Sequence, residues 1–312
     1  MFNNLRELVA TMPDEETCRK YLIKQRWDDK PLCPFCGCGS YYVIDKGRRY
    51  KCSNNVCNMK YSVTTNTIFH NSKIPLNKWL MACYIVSAHK KGISSYQLAK
   101  DIGCTQRTAW FIIHRIREAM KAKQNEMLDM VVEIDETYVG AKMKNKHKDV
   151  RDFAHKNNLN HAINKTGVMG YLQRKGEVKL VKMQPELTVK EQVFQNIKPE
   201  AIVLTDGYPG YFGLDRTYEA HLAVDHAHDE YVRGFVHTNG IEGAFSHFKR
   251  MVYGIYHQIT PKHLQAYCNE FSFRFNSREL KDKARFELLL NSINCRLTYK
   301  SQKKVSIILL SK

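Results

Sequence analysis

Leu204-Thr205-Asp206-Gly207-Tyr208 and, further on, His237-Thr238-Asn239-Gly240-Ile241-Glu242-Gly243-Ala244-Phe245-Ser246-His247-Phe248-Lys249-Arg250 make up the stretch on which the reading of this chain turns. The first segment is an apolar run that ends on a carboxylate and a turn. Wound at about 3.6 residues per turn, the second sorts into two faces. Asn239, Glu242, Ser246 and Lys249 fall on one, and Ile241, Phe245, Phe248 and Val252 on the other. The pattern predicts a helix anchored by its apolar side, with a carboxylate and a lysine two turns apart on its polar strip. Upstream, Val131-Val132-Glu133-Ile134-Asp135-Glu136 reads as a buried strand that carries acids. Carboxylates from two strand ends and a helix are what a two-metal phosphoryl-transfer site needs.

Composition narrows the setting. A chain of 312 residues has room for two or three domains, and 43% hydrophobic content supports a proper core. No apolar run reaches the roughly 18 residues of a membrane span. The segment Met1-Phe2-Asn3-Asn4-Leu5-Arg6-Glu7 lacks the apolar region of a signal peptide. The formal net charge of +18 favours a polyanionic partner. With neither a basic amphipathic anchor nor a lipidation motif, that partner is nucleic acid rather than a membrane. Ten cysteines without a secretory signal, four of them at metal spacing, point to a reducing compartment.

In chain order, residues 1–30 read as a helical lead-in with Pro13 in a first helical turn. Residues 31–72 read as a zinc ribbon. Cys33-Pro34-Phe35-Cys36 and the pair Cys52 and Cys57 are joined by a hairpin around Asp45-Lys46-Gly47, and residues 61–64 supply a third strand. Cys33, Cys36, Cys52 and Cys57 are the expected ligands of a structural Zn2+, which a fold this small requires. The Cys52–Cys57 gap is wider than usual, so Cys38 stays open as a substitute. Residues 73–126 read as helices. Ala99, Gly103 and Ile112 occupy the small, turn and apolar positions of a helix-turn-helix. Thr105, Gln106 and Arg107 then open a recognition helix facing DNA; a plain three-helix packing unit is the alternative. Arg115, Arg117 and Lys121 are expected on a solvated face or at phosphates.

Residues 127–290 alternate strand and helix in the order β-β-β-α-β-α, a ribonuclease-H-like layout with acids on the first and fourth strands and on a later helix. Thr188 caps the helix between them, which is expected to run to Lys198. Residues 141–166 form a polar insert with Lys142, Lys144, Lys146, Lys148, Arg151, Lys156 and Lys165, read as a loop that is either a DNA-backbone contact or simply solvated. Residues 291–312 are a tail whose apolar stretch at 305–310 is either an added strand or a partner contact. The fold class is multidomain α+β: zinc ribbon, helix-turn-helix and a ribonuclease-H-like α/β domain.

Magnesium, or manganese in its place, is held by a few carboxylates together with substrate phosphate. Asp206, at a strand end before glycine, and Glu242, on the helix, are the better placed of the acids. Asp135 is preferred on the first strand, but Glu133 shares its face and Glu136 adjoins it, so spacing leaves that choice open. Lys249, about 10 Å along the helix from Glu242, either reaches a phosphate beside the scissile bond or is a surface lysine. Asn239 either orients a ligand at the helix start or caps the helix. His226, His228 and His237 rank as structural.

Val-Glu-Ile-Asp135-Glu-Thr-Tyr-Val-Gly, Leu-Thr-Asp206-Gly-Tyr and His-Thr-Asn239-Gly-Ile-Glu242 with Ser246-His-Phe-Lys249-Arg resemble the DDE transposases of a bacterial insertion-sequence family. That family has an N-terminal zinc ribbon and is related to Merlin elements. The likeness extends to Trp27 with Cys33-Pro-Phe-Cys36, to Tyr256-His257 with Lys262-His263-Leu264, and to Glu270-Phe271 with Arg274-Phe275-Asn276-Ser277-Arg278, so it runs from about residue 25 to 280. It implies that Asp135, Asp206 and Glu242 are metal-binding acids followed by Lys249. Some members carry Asn as the third acid, which keeps Asn239 beside Glu242. It further implies a transposase that binds terminal inverted repeats, cleaves at the ends and joins the 3′-hydroxyls to target duplex, with Lys249 and Arg250 on DNA. Two ends held together require a homo-oligomer, at least a dimer. The setting is then the bacterial cytoplasm with its nucleoid, or a nucleus in a eukaryote. Two other readings predict different behaviour: a DNA-binding regulator with an inactive nuclease-like domain, and a nuclease indifferent to inverted repeats.

Overall fold

The computed structural model describes residues 2–121, 126–140, 147–156, 165–224 and 232–298. The chain divides into two units, Met1–Ala122 with Glu279–Lys312, and Lys123–Arg278. Lys142, Lys144, Lys146, His226, His228 and the apolar stretch 305–310 lie outside the described residues.

The first unit opens with α1 (Leu5–Thr11) and α2 (Glu15–Trp27). Asp14 starts α2 by accepting the Thr17 N–H at 2.8 Å. Pro13 therefore lies ahead of the cap, between the two helices, and not in a first turn as expected. Next come three antiparallel strands in the order β1 (Tyr41–Ile44), β2 (Arg49–Cys52) and β3 (Lys60–Tyr61). Asp45, Lys46 and Gly47 all hold positive φ (54°, 55°, 85°), which reverses the chain between β1 and β2. The third strand stops earlier than expected because a turn captures its continuation: Thr65 N–H bonds the Ser62 carbonyl and Ser62 N–H bonds Thr65 Oγ1. Trp27 sets its ring edge-on against Tyr50 and Tyr61, fastening α2 to this small sheet.

Three helices follow: α3 (Leu76–Ala88), α4 (Ser95–Ile102) and α5 (Gln106–Ala119). Ser94 caps α4, Gly103 ends it in the left-handed region at φ 61°, and Thr105 caps α5. Arg115 and Arg117 are buried, 8% and 2% exposed, which corrects their expected place on a solvated face. Arg115 stacks over Phe111 and donates to the Ile68 carbonyl at 2.7 Å, and Arg117 meets His114 Nε2 at 3.3 Å. The helix Asp282–Leu290 also belongs to this unit, although the sequence reading grouped it with residues 127–290. Phe286 packs its ring between Phe2 and Tyr84, and Arg285 donates to the Ser87 and Ala88 carbonyls at the end of α3.

The second unit is built on β4 (Val131–Val139), with α6 (Lys148–Lys156), β5 (Thr166–Gln173), β6 (Val178–Lys182), α7 (Val189–Phe194), β7 (Ile202–Asp206), β8 (Ala220–Val224), α8 (Asn239–Met251) and α9 (Leu264–Asn276). The sheet order is β6-β5-β4-β7-β8. β5 runs antiparallel to both β4 and β6, whereas β7 runs parallel to both β4 and β8. Thus β4 is central. One face buries Val168, Val178 and Leu180 under Ile241, Phe245 and Phe248 of α8 and Leu264, Cys268 and Phe271 of α9. The other buries Val132, Ile134 and Tyr171 with Val193 of α7, Tyr211 and Leu214. A capping box at Thr188 and Glu191 starts α7, as expected. The helix stops at Phe194 rather than Lys198, because Ile197 pairs instead with Leu128. Two elements are additions to the expected order: the edge strand β8, and α6 inside the basic insert, where the sequence predicts a loop.

Candidate active site

Side chains alternate along β4, so Glu133 and Asp135 face α8 while Val132 and Ile134 face α7. Asp135 pairs with Gly170 across β5, and α8 presses directly onto that glycine. A Cβ at residue 170 would lie 2.5 Å from Phe245 Cζ and 2.7 Å from Ile241 Cδ1. The missing side chain is the gap that lets the helix rest on the strand pair beside Asp135. Ile241 and Phe245 are thereby buried, and Glu242, Ser246 and Lys249 remain exposed, which is the expected division of the helix. Asp206 ends β7, next to β4, and its Oδ1 accepts the Tyr208 N–H at 3.2 Å.

Asp135 is pushed up to about 7, first by burial and then by the charges of Glu136, Asp206 and Glu242. A bond from the Glu136 N–H to Asp135 Oδ1, 2.7 Å, opposes the rise. Glu136 is also raised, by burial and by the Asp206 charge. Acids from two strands and a helix thus share one electrostatic environment, with Glu242 held by Thr238 Oγ1 at 2.9 Å. Repulsion of this kind is relieved by a cation. The acids are not gathered as tightly as the ribbon cysteines, which are the one close group of metal-type ligands among the described residues. Magnesium keeps several of its waters, so its protein ligands need not touch one another.

Cys33, Cys36, Cys52 and Cys57 bring their sulfurs within 4.8 Å of one another. Four thiols in that arrangement are compatible with a structural zinc ion. Cys38 turns away, its sulfur toward the Ser40 carbonyl at 3.7 Å. The wide Cys52–Cys57 gap is taken up by a turn in which Cys57 N–H and Asn58 N–H both reach the Asn54 carbonyl. Of the three residues expected to open a recognition helix, Thr105 is the cap and Arg107 is exposed. Gln106 Nε2 is engaged by Ser95 Oγ at 2.8 Å, across the α4–α5 corner.

Residues 127–276 match the family described as an ISXO2-like transposase domain, and residues 13–60 match the transposase zinc-ribbon domain. The first match spans β4 to α9 and contains all the acids above. The chain belongs to this family of insertion-sequence DDE transposases with a zinc ribbon. An uncharacterized protein in transposable element ISH50 of Halobacterium salinarum is 27% identical over 85% of this chain and 92% of its own length. An uncharacterized transposase-like protein of Haemophilus influenzae is 29% identical over 28% of this chain and 71% of its own length.

Within the transposase domain the structure separates residues that spacing could not. Glu133 is 1% exposed and bonded through both oxygens, to Arg174 and to the Ile241 N–H, whereas Asp135 and Glu136 are half-buried. Asn239 is the first residue of α8 and exposed; it is not the cap, which falls at Thr238. Lys249 and Arg250 are exposed in the last turn, and His237 lies 3.5 Å from Glu133. Sequence reasoning missed Tyr211, which is fully buried with its hydroxyl raised by burial and by the charges of Glu136, Asp206 and Asp135. It also missed Arg174 and Gly170. A glycine inside an apolar strand was the available signal for the last of these.

Proposed function

We propose that this transposase binds the terminal inverted repeats of its element, cuts the DNA there by metal-assisted hydrolysis and joins the freed 3′-hydroxyls to target duplex. The observation that carries the proposal is a shared neighbourhood. Asp135 stands on β4 beside β7, which ends on Asp206, and its cross-strand partner Gly170 lies under α8, which carries Glu242. Burial and the charges of Glu136, Asp206 and Glu242 raise its carboxyl accordingly. Asp135, Asp206 and Glu242 are the residues that would hold magnesium or manganese. Bound there, two such ions activate an attacking oxygen and stabilise the leaving one. The chain's own part is to hold three acids on a sheet and a packed helix. Lys249 lies on the same face of α8 as Glu242 and offers a cation to a neighbouring phosphate, with Arg250 beside it, and Asn239 lies exposed at the start of that helix. Strand order supports reading the second unit as ribonuclease-H-like: three antiparallel strands in succession, then two parallel ones beyond the first.

The ribbon and the α4–α5 pair, read as a helix-turn-helix, serve end recognition. The short corner at Gly103 and the exposed Arg107 support that assignment. Both ends must be engaged together, so the active species is an oligomer. The test is a labelled duplex taken from the DNA flanking this gene, incubated with the full chain and magnesium. Cutting at the element boundary and joining to a second duplex are expected. Asp206→Ala is expected to bind the same duplex and leave it whole; cutting that persists in this variant refutes the assignment.

Zinc ligation is proposed for Cys33, Cys36, Cys52 and Cys57. The purified chain should carry about one zinc ion. Cys33→Ser and Cys57→Ser are each expected to lose it and to unfold residues 31–61, since a ribbon this small depends on its metal. Cys38→Ser should retain it. Zinc analysis and circular dichroism decide the point, and loss of metal on changing Cys38 would redraw the ligand set.

A further inference from the structure

Glu133 stands two residues before Asp135 on β4, and its carboxylate is buried. A buried carboxylate persists where hydrogen bonds and counter-charge replace water. Each of its oxygens has its own partner. Oε2 accepts the backbone N–H of Ile241 at 3.0 Å, and Oε1 accepts from Arg174 Nε at 2.8 Å. The same guanidinium donates through Nη1 to the Phe235 carbonyl at 2.6 Å and through Nη2 to the His237 carbonyl at 3.0 Å. Arg174 thus ties down the segment that leads into α8. Glu133 ties down the first turn of the helix, whose free N–H groups and dipole favour a negative charge. Gly240 makes the approach feasible, because a Cβ there would lie 2.7 Å from Glu133 Oε2 and 2.7 Å from Leu172 Cδ2.

We infer that Glu133, with Arg174, is a positioning pair that sets where Glu242 stands relative to Asp135. The inference rests on reading Asp135, Asp206 and Glu242 as the reacting acids. Ile241, whose N–H is held, is the residue before Glu242. Asp135 is the next residue along the same face of the strand that does the holding. One strand therefore carries an acid and grips the helix that carries another. The relation between the two acids passes through the three residues Glu133-Ile134-Asp135 of β4 and the hydrogen bond from Ile241, with Arg174 fixing the carboxylate and the residues that enter α8. Neither Glu133 nor Arg174 touches the reacting atoms in this scheme.

Two variants of the full chain test it. Glu133→Gln keeps the volume and an acceptor for Ile241 but removes the charge facing Arg174. Arg174→Lys keeps the charge but loses the fork that spans Phe235 and His237. Each is measured for cleavage of the labelled flanking duplex, for binding of that duplex without divalent metal, and for amide exchange at Ile241 and Glu242. Cleavage in magnesium is expected to fall about ten- to a hundredfold, the scale of a misplacement near 1 Å. Duplex affinity should stay within about twofold, since phosphate contacts elsewhere supply it. Amide protection at Ile241 should drop. Magnesium demands near-ideal octahedral geometry, so manganese should restore a larger share of cleavage in the variants than in the unaltered chain. Wild-type cleavage in Glu133→Gln, or cleavage and binding lost in equal proportion, overturns the inference. If the unaltered chain leaves the duplex whole, the reading of the acids is what fails. Exchange at Ile241 then judges the positioning pair alone, and unchanged protection in both variants overturns it.

Discussion

Asp135→Asn is expected to abolish strand cleavage while making the metal-free protein harder to unfold at pH 8. The loss of activity should reach about three orders of magnitude, because on the proposed mechanism Asp135 holds a metal ion at the reacting phosphate. The gain in stability follows from the sign of the shift. The folded carboxyl titrates at about 7 against an ordinary value of 3.8. Between those values folded Asp135 keeps a proton that the unfolded chain has released, so stability falls as pH rises through that window. Above it the destabilisation is complete. Asparagine carries no charge and escapes it. After discounting for partial solvent access, the benefit is about 1–2 kcal/mol, or about 2–6 °C in melting temperature for a unit of this size. The gap between variant and wild type should be small at pH 4, widen to pH 7 and then level off. Magnesium at pH 8 should raise the melting temperature of the wild type and move the variant less, closing the gap from below. Scanning calorimetry at pH 4, 6 and 8, with and without magnesium, measures both terms. Equal melting temperatures at pH 8 without metal would mean that the acids do not load Asp135, and the case for a shared cation site would go with them.

The parts of this molecule that were legible in the sequence are those in which a period and a burial coincide. Ile241, Phe245 and Phe248 recur at helical spacing because one face of α8 is buried, and Glu242 and Lys249 were found by subtraction from it. The ribbon cysteines stand out because two cysteine pairs at metal spacing form a set, although spacing alone left Cys38 open as a substitute. Where burial is achieved by other means, the pattern fails. Arg115 and Arg117 sit in the interior through stacking and hydrogen bonds to the Ile68 carbonyl and His114, and a charged residue at helical spacing looks the same whether solvated or buried. β8 escaped because four of its five residues are only half-buried, as suits an edge strand, so no continuous apolar run marks it. α6 lacks glycine and proline and has Asp149 in its first turn, yet its charge density reads as loop. The choice among Glu133, Asp135 and Glu136 could not come from spacing at all. A tertiary contact sets Glu133 apart, the Ile241 N–H arriving 108 residues later to occupy it, whereas Asp135 and Glu136 are alike half-buried.

Gly170→Ala should impair both stability and cleavage, although it adds a single methyl group and changes no charge. Gly170 pairs with Asp135, and the added carbon would fall 2.5 Å from Phe245 Cζ and 2.7 Å from Ile241 Cδ1. The aromatic ring is wedged among Val168, Leu180 and the rest of a closed cluster, so it cannot yield as a surface side chain would. The strain is met by lifting α8 from the sheet. Overpacking of this kind costs about 1–3 kcal/mol. Displacement of Glu242 from Asp135 and Asp206 by about 1 Å should lower cleavage about a hundredfold even at temperatures where the variant is fully folded. Zinc content and the helices of the first unit should be unaffected. A second change separates strain from simple loss of fold: Phe245→Leu shortens the side chain that collides and should itself be destabilising through the cavity it leaves. In the double variant the two defects should partly cancel, with a coupling of about 1 kcal/mol or more between residues in direct contact. Cleavage should recover in step with stability if the helix returns to its seat. Additive losses in the double variant would show that Gly170 serves the fold in some other way, and that the closeness of α8 to β5 does not govern where Glu242 stands.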